Sequence, residues 1–124
     1  MTKYPLFILM ILSLTLATGL SAQTNQASES MEEFAAIYSY GEKWDAGKSP
    51  AEQPYFIDHS AFLFGLKQAG VITAGIKMSD KSIILFKAKN IEEAKKIFLS
   101  DTSVSEKTYR LEVQPATVFY KGCI

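Results

Sequence analysis

The sequence of 124 residues has one cysteine, Cys123, one histidine, His59, and one tryptophan, Trp44. A single cysteine cannot form an internal disulfide, and one cysteine with one histidine is too few for a structural zinc site. Basic and acidic side chains balance at 13 each, so the chain lacks the excess of Lys and Arg on which nucleic-acid binding relies. No glycine-rich phosphate loop and no Gly-x-Ser-x-Gly motif is present, which leaves nucleotide binding and serine hydrolysis without support. We therefore predict no cofactor, no metal and no nucleic-acid partner.

The first 22 residues have the pattern of an export signal. Lys3 is their only charged residue, an apolar stretch follows to about Leu16, and a run of small residues ends at Ala22, which are the three regions of a secretory signal peptide. The alternative, a permanent membrane anchor, needs about 20 continuous apolar residues. The apolar run is interrupted early by Ser13, Thr15, Thr18 and Gly19. We predict a signal peptide over residues 1–22, export to the periplasm or the extracellular space, and no membrane association after cleavage.

Cleavage after residue 22 leaves about 102 residues, with one more acidic than basic side chain because Lys3 is lost with the signal. A chain of this length forms one domain with a modest core. Residues 23–32 are polar and have no apolar periodicity, so we predict a flexible leader there. Residues 33–124 are the predicted folded domain.

The first half of the domain predicts a strand and a helix. Residues 34–40 are rich in aromatic and apolar side chains, which favours a strand. The sequence SPAE at 49–52 is a capping box with proline at the first helical position. Pro54 lacks the N–H that a continuing helix needs, so we predict a short turn first and the main helix over about residues 54–69.

The second half predicts a hairpin, a helix and a strand. Residues 71–78 and 82–88 are β-favouring runs separated by three polar residues. Residues 90–100 begin with an Asn cap and place apolar side chains on one face, which predicts an amphipathic helix. Apolar and charged residues alternate over residues 109–113, which predicts a last strand that Pro115 bends or ends.

The resulting order of elements, β, α, β, β, α, β, is that of a ferredoxin-like fold of the α+β class. Such a fold has an antiparallel four-stranded sheet with two helices on one face. Its other face would be bare, yet apolar residues occur at both parities of the strands, as in Ile83 and Leu85 against Ile84 and Phe86. We predict that a second copy covers that face and that two sheets close into a dimeric α/β barrel.

Two residues are candidates for chemistry. His59 lies on the apolar stripe of the predicted helix, where it is either a core histidine with one backbone partner or a catalytic group. Asp101 follows the second helix, where it is either a turn residue that binds the next backbone amides or the partner of a reactive group. Trp44, on a loop, is either a lid over a pocket or a plug over the core. The residues alone leave these alternatives open.

The order and spacing of several short motifs resemble the YCII-related (YciI-like) proteins of bacteria, over about residues 33 to 121. The motifs are YGEKWDAGKSPAEQP at 40–54, IDHSAFL at 57–63, LKQAG at 66–70, NIEEAKKIF at 90–98, SD at 100–101 and LEVQP at 111–115. The resemblance implies a ferredoxin-like domain of the dimeric α/β-barrel superfamily. It also implies a His and Asp dyad in a pocket, which matches His59 and Asp101 here.

Members of this family are linked to dehydrochlorination or lactone-type chemistry on small ring compounds. The first hypothesis is therefore an enzyme that performs acid–base chemistry, an isomerisation or elimination, on a small ring or lactone. His59 and Asp101 would be its catalytic pair, with Tyr38, Tyr40 and Trp44 as pocket walls.

The second hypothesis is a non-catalytic ligand-binding or assembly module of the same fold. Two departures from the family pattern favour it: Thr102 stands where the family usually has Pro, and Ile76-Lys77 where it often has Gly-Pro. Retention of both His59 and Asp101 favours the enzyme.

Overall fold

The computed structural model describes residues 29–122 of the chain. The predicted signal peptide, residues 23–28 of the predicted leader, and Cys123 lie outside the described residues. The helices and strands within residues 29–122 are β1 (Glu32–Tyr40), α1 (Phe56–Gln68), β2 (Ile72–Lys77), β3 (Lys81–Ala88), α2 (Ile91–Leu99), α3 (Thr102–Ser105) and β4 (Tyr109–Pro115). The predicted strands and the two predicted helices are all found, and the four-residue helix α3 is an addition. None of the helices in this part of the chain is long and apolar enough to span a membrane.

The four strands form one antiparallel sheet in the order β2-β3-β1-β4, with β1 and β3 in the centre. The predicted α+β class and the predicted four-stranded antiparallel sheet are confirmed. In the register of the central pair, Phe34 lies opposite Phe86 and Ala36 opposite Ile84. Because side chains alternate along a strand, the even-numbered residues of β1 and β3 share one face of the sheet.

The hydrophobic core lies between that face and the helices. Phe98 of α2 is fully buried, and its ring centroid lies 4.3 Å from that of Phe86 and 6.3 Å from that of Tyr38. Phe62 of α1 packs edge-on against Phe98 at 5.8 Å. Both α1 and α2 therefore cover the same side of the sheet, and α2 buries the apolar face that its sequence pattern predicted.

The opposite face of the sheet has an apolar strip across β2, β3 and β1. Ile83 at its centre has Ile37 of β1 on one side and Ile76 of β2 on the other. Ile76 is half exposed, at 49%. The chain after β4 lies against one end of this face, where the backbone N–H of Val118 donates to Glu33 at 3.4 Å. We call this surface the open face.

The start of α1 is determined by a capping contact, a proline and a hydrogen bond from the residue before β4. The N–H and hydroxyl of Ser49 both donate to the Glu52 carboxylate, at 2.9 and 2.8 Å, which is the predicted capping contact around a single 3-10 turn. Pro54 ends that turn, and Tyr55 adopts a left-handed backbone conformation before α1 begins. The hydroxyl of Thr108, just before β4, donates to the Pro54 carbonyl at 3.0 Å. This hydrogen bond holds the beginning of α1 against the beginning of β4.

Gly41 allows the end of β1 to lie close to the beginning of β4. Its N–H donates to the Thr108 carbonyl at 2.9 Å. A Cβ at this position would lie 2.2 Å from the Lys107 carbonyl oxygen, so only glycine fits without moving the backbone. The loop that carries Trp44 therefore starts directly beside β4.

Replacement of Phe98 by Ala is expected to lower the free energy of unfolding by about 3–5 kcal/mol, because it empties a site in contact with both the sheet and α1. The matched control is Leu99→Ala, which removes a side chain that is 59% exposed and is expected to cost less than about 1 kcal/mol. Urea unfolding of both variants and the wild type measures the difference. Equal losses would contradict the location of the core.

Candidate functional site

The site is built around the carboxylate of Asp101, which lies between α2 and α3 and has no exposed surface. One oxygen, Oδ1, caps α3: it accepts the backbone N–H of Ser103 at 3.0 Å and the Ser103 hydroxyl at 2.8 Å. Asp, as an N-cap residue, satisfies amides that a helix leaves unpaired at its start. The turn role considered from the sequence is therefore present.

The other oxygen, Oδ2, makes the contacts that the dyad requires. It lies 2.7 Å from Nδ1 of His59, and it accepts the hydroxyl of Tyr38 at 2.9 Å. His59 is on α1, 8% exposed, and its backbone N–H donates to the Tyr55 carbonyl. The structure thus brings the two predicted catalytic residues into direct contact.

The ionisation of Asp101 follows from these partners. Burial raises the pKa of the Asp101 carboxyl, but hydrogen bonds from His59 and Ser103, the charge of a protonated His59 ring and the Tyr38 hydroxyl together bring it below its ordinary value. The group is therefore a carboxylate at neutral pH, and a carboxylate only accepts hydrogen bonds. It follows that Nδ1 of His59 carries a proton and donates it to Asp101.

Tyr38 is also held in one protonation state. Burial, followed by the neighbouring Asp101 charge and its hydrogen bond, raises the pKa of the Tyr38 hydroxyl. Its side chain is 2% exposed and packs edge-on against the His59 ring, with centroids 4.8 Å apart. The structure thus places Tyr38 beneath the pair, as a donor to Asp101.

Ser103 does not complete a nucleophilic triad. Its hydroxyl lies 3.4 Å from His59 Nδ1, the nitrogen that already faces Asp101. In a Ser-His-Asp triad the serine and the aspartate lie on opposite nitrogens of the ring. Ser103 is also fully buried, so it supports Asp101 and is closed to a substrate.

A row of aromatic rings leads from the dyad to the surface. The ring of Tyr109 lies 4.6 Å from that of His59, Trp44 lies 5.4 Å from Tyr109, and Tyr40 stacks on Trp44 at 4.2 Å. The Tyr40 hydroxyl donates to the Ser79 carbonyl at 3.1 Å. Tyr40 and Trp44 are therefore joined to the dyad through Tyr109.

The loop after Trp44 is anchored by Gln53, which is 4% exposed. Its side-chain oxygen accepts the N–H of Asp45 at 2.9 Å, and its side-chain nitrogen donates to the carbonyls of Asp45 and Lys48 at 2.6 and 3.2 Å. A buried amide with both ends paired fixes the loop that it bonds. The position of Trp44 is thus set by the chain on both sides of it.

A cleft of about 220 Å³ opens beside this row. It is lined by Gly41, Glu42, Val104, Lys107, Tyr109, Arg110 and Leu111. His59 is not one of its lining residues, and Tyr109 is the residue that both lines the cleft and packs against His59.

The second ring nitrogen of His59, Nε2, makes no hydrogen bond within residues 29–122. The His59 side chain is 10% exposed. This nitrogen is the atom of the pair that can exchange a proton with a ligand.

Sequence reasoning missed Ser103, Thr108 and Tyr109. The alternation over residues 109–113 predicts a strand, but the place of Tyr109 beside His59 depends on its pairing with Tyr40 across the sheet. No group of three or more His, Cys, Asp or Glu side chains suited to a metal ion occurs in the described range 29–122.

No protein-family model matches this chain, and no curated protein or solved structure matches it significantly.

Replacement of Asp101 by Asn is expected to lower the free energy of unfolding at neutral pH by about 2 kcal/mol or more, because the amide adds a donor where only donors face it. The folded-state pKa of Asp101 lies below its ordinary value of 3.8. Its charge therefore stabilises the fold above that pH, and this contribution is lost as the pH falls below it.

Urea unfolding as a function of pH tests this. The wild type should lose stability below about pH 3.8 more steeply than Asp101→Asn. Asp58→Asn, an exposed change on α1, should follow the wild type. Parallel curves for Asp101→Asn and the wild type would show that Asp101 is not the responsible carboxylate.

Proposed function

We propose that this protein is an exported enzyme that uses His59 as an acid–base catalyst on a small ring or lactone compound. The observation that carries this proposal is the 2.7 Å contact between His59 Nδ1 and Asp101 Oδ2, with Nε2 left without a partner in residues 29–122. A carboxylate on one ring nitrogen fixes the tautomer and the orientation of the ring, and it leaves the other nitrogen to accept or give a proton. Export rests on the signal-peptide pattern of residues 1–22 alone.

The size of the adjoining cleft supports a small substrate. Its volume of about 220 Å³ is below the range of cavities that hold drug-sized ligands, which begins near 300 Å³. An apolar cavity of about 150 Å³ already holds a benzene molecule. A single ring with a few substituents is therefore the matching substrate class, and the resemblance to the YCII-related proteins points to the same class.

The chemistry is a proton transfer at carbon. Nε2 of His59 takes a proton from the carbon next to a carbonyl, and the electron pair of the broken C–H bond moves toward the carbonyl oxygen. In an isomerisation, the same proton returns to a different carbon of the ring system. In an elimination, the electron pair forms a double bond while a leaving group such as chloride departs with its own bonding pair. Asp101 is a positioning residue, because its carboxylate binds His59, Tyr38 and Ser103 rather than the substrate.

A second candidate function, a non-catalytic ligand-binding or assembly module, is favoured by the burial of His59. Only 10% of its side chain is exposed, and His59 is not among the residues that line the cleft. The departures at Thr102 and Ile76-Lys77 agree with this alternative.

Replacement of His59 by Ala is expected to lower turnover about 10²- to 10⁴-fold, the usual contribution of general acid–base catalysis. The assay is a screen of small lactones and of hydroxylated or halogenated rings, followed by NMR with the mature wild-type chain. Asp58→Asn, an exposed change on the same helix, is the matched control and should keep wild-type turnover. Circular dichroism checks that His59→Ala is folded, and His59→Gln serves as a second variant.

Equal turnover by the wild type and both His59 variants would remove His59 from the mechanism. Binding of ring compounds by the wild type without turnover of any of them would favour the module over the enzyme.

We also propose a ferredoxin-like arrangement that pairs with a second copy into a dimeric α/β barrel. The strand order β2-β3-β1-β4, with both long helices on one side, supports the first part. The open face supports the second, because Ile37, Ile76 and Ile83 form an apolar surface across three strands, and such surfaces mark interfaces. A second copy would present the same residues to it.

Light scattering of the mature chain at micromolar concentration is expected to give twice the monomer mass. Ile83→Lys should yield a folded monomer, because a lysine would be buried at the centre of the interface. Ile57→Lys, which places the same charge on a side chain of α1 that is 80% exposed, is the matched control and should remain a dimer. A monomeric wild type would overturn the pairing.

A further inference from the structure

Three tyrosines surround the dyad, and their hydroxyls are used differently. The Tyr38 hydroxyl donates to Asp101, and the Tyr40 hydroxyl donates to the Ser79 carbonyl. The Tyr109 hydroxyl makes no hydrogen bond within residues 29–122. Tyr109 is 8% exposed and lines the cleft of about 220 Å³.

Tyr109 is also the residue best placed to act with His59. Its ring packs against that of His59 with centroids 4.6 Å apart and an angle of 34° between the planes. Each residue thus has one polar atom without a partner in the described chain, Nε2 in His59 and the hydroxyl in Tyr109. Within residues 29–122, each of these two atoms therefore has hydrogen-bonding capacity left for a ligand.

The surroundings of Tyr109 favour a hydroxyl that donates. Burial, then the neighbouring Tyr40 phenol and the Asp101 charge, raise the pKa of the Tyr109 hydroxyl, so it keeps its proton at neutral pH. The cleft that it lines carries Lys107 and Arg110, while Glu42 is its acidic residue and already pairs with Lys107 at 3.1 Å. Because side chains alternate along β4, Arg110 faces the other side of the sheet from Tyr109, so the Tyr109 hydroxyl is the group here that suits a ligand oxygen.

We propose that the Tyr109 hydroxyl binds the oxygen of the substrate, a small ring compound with a carbonyl group. The inference rests on the proposed function of His59. As Nε2 removes a proton from the neighbouring carbon, the electron pair moves onto the carbonyl oxygen, and Tyr109 stabilises that oxyanion by donating a hydrogen bond. Tyr109 keeps its own proton throughout, and the return of the electron pair to the ring on reprotonation restores the carbonyl. A donor aimed at developing negative charge is the common device for stabilising such a transition state.

The test uses 4-nitrophenolate, a planar ring with a fixed oxyanion, at a pH above the pKa of the probe. Trp44 is the sole tryptophan of the chain and lies 5.4 Å from Tyr109, so quenching of its fluorescence reports binding. The wild type should bind the probe, and Tyr109→Phe should bind it about 10- to 100-fold more weakly, the range for a hydrogen bond to a charged group. Phe keeps the ring packing against His59. Tyr120→Phe, at a side chain that is 85% exposed, is the matched control and should bind as the wild type does.

Equal affinity of the wild type and Tyr109→Phe, or no binding by the wild type, would overturn the inference. The lactone assay separates this inference from the proposed function. Turnover that is lost in His59→Ala but unchanged in Tyr109→Phe would leave His59 as the catalyst and remove Tyr109. Probe binding that depends on Tyr109, with turnover that does not depend on His59, would support the oxygen site and overturn the acid–base role.

Discussion

The buried charge of Asp101 is the constraint on which the rest of the site depends. A carboxylate without exposed surface costs several kcal/mol unless its oxygens are paired. Here four donors meet it, the amide and hydroxyl of Ser103 on Oδ1 and the groups of Tyr38 and His59 on Oδ2. These donors belong to α3, β1 and α1, so three separate elements must keep their relative positions for the charge to stay paired. The packing of Phe98 against the sheet and α1, and the hydrogen bond from Thr108 to the Pro54 carbonyl, hold those elements in place.

The same charge determines where protons lie in the cluster. Because a carboxylate only accepts, the protons that face it belong to His59 Nδ1, to the Tyr38 hydroxyl and to Ser103. Tyr38 is held as a donor by its raised pKa, and Ser103 is closed off from solvent. Nε2 of His59 is then the nitrogen of the cluster whose proton can change. This fixed arrangement of donors around one carboxylate is the physical basis of the proposed acid–base chemistry.

Local sequence signals predicted the elements well, and contacts between distant residues account for what they missed. The capping contacts at Ser49 and Asn90 depend on neighbours a few residues away, so they could be read directly from the sequence. The inward direction of His59 followed from helical spacing. For Asp101 the sequence left open a turn role or a partnership with a reactive group. A carboxylate has two oxygens, and in the structure Oδ1 caps α3 while Oδ2 contacts His59. Tyr109 was missed because its contact with His59 depends on cross-strand pairing and on the close approach at Gly41, which no local pattern contains.

Stability alone does not account for this cluster. A buried network of ions and polar groups can often be replaced by apolar side chains of similar volume with no loss of stability, or with a gain. Two neighbouring tyrosines in the core allow a role in folding to be compared with a role in ligand binding. Tyr38 and Tyr109 lie 5.9 Å apart, ring to ring, and both are largely buried, yet Tyr38 gives its hydroxyl to Asp101 while Tyr109 bonds nothing in residues 29–122. If the hydroxyls served folding alone, a phenylalanine at position 109 would fill the same space without an unpaired polar group. The Tyr38 hydroxyl thus has a structural task in pairing Asp101, whereas the Tyr109 hydroxyl has none among the described residues, and this difference is the physical argument for testing Tyr109 as a ligand-binding group.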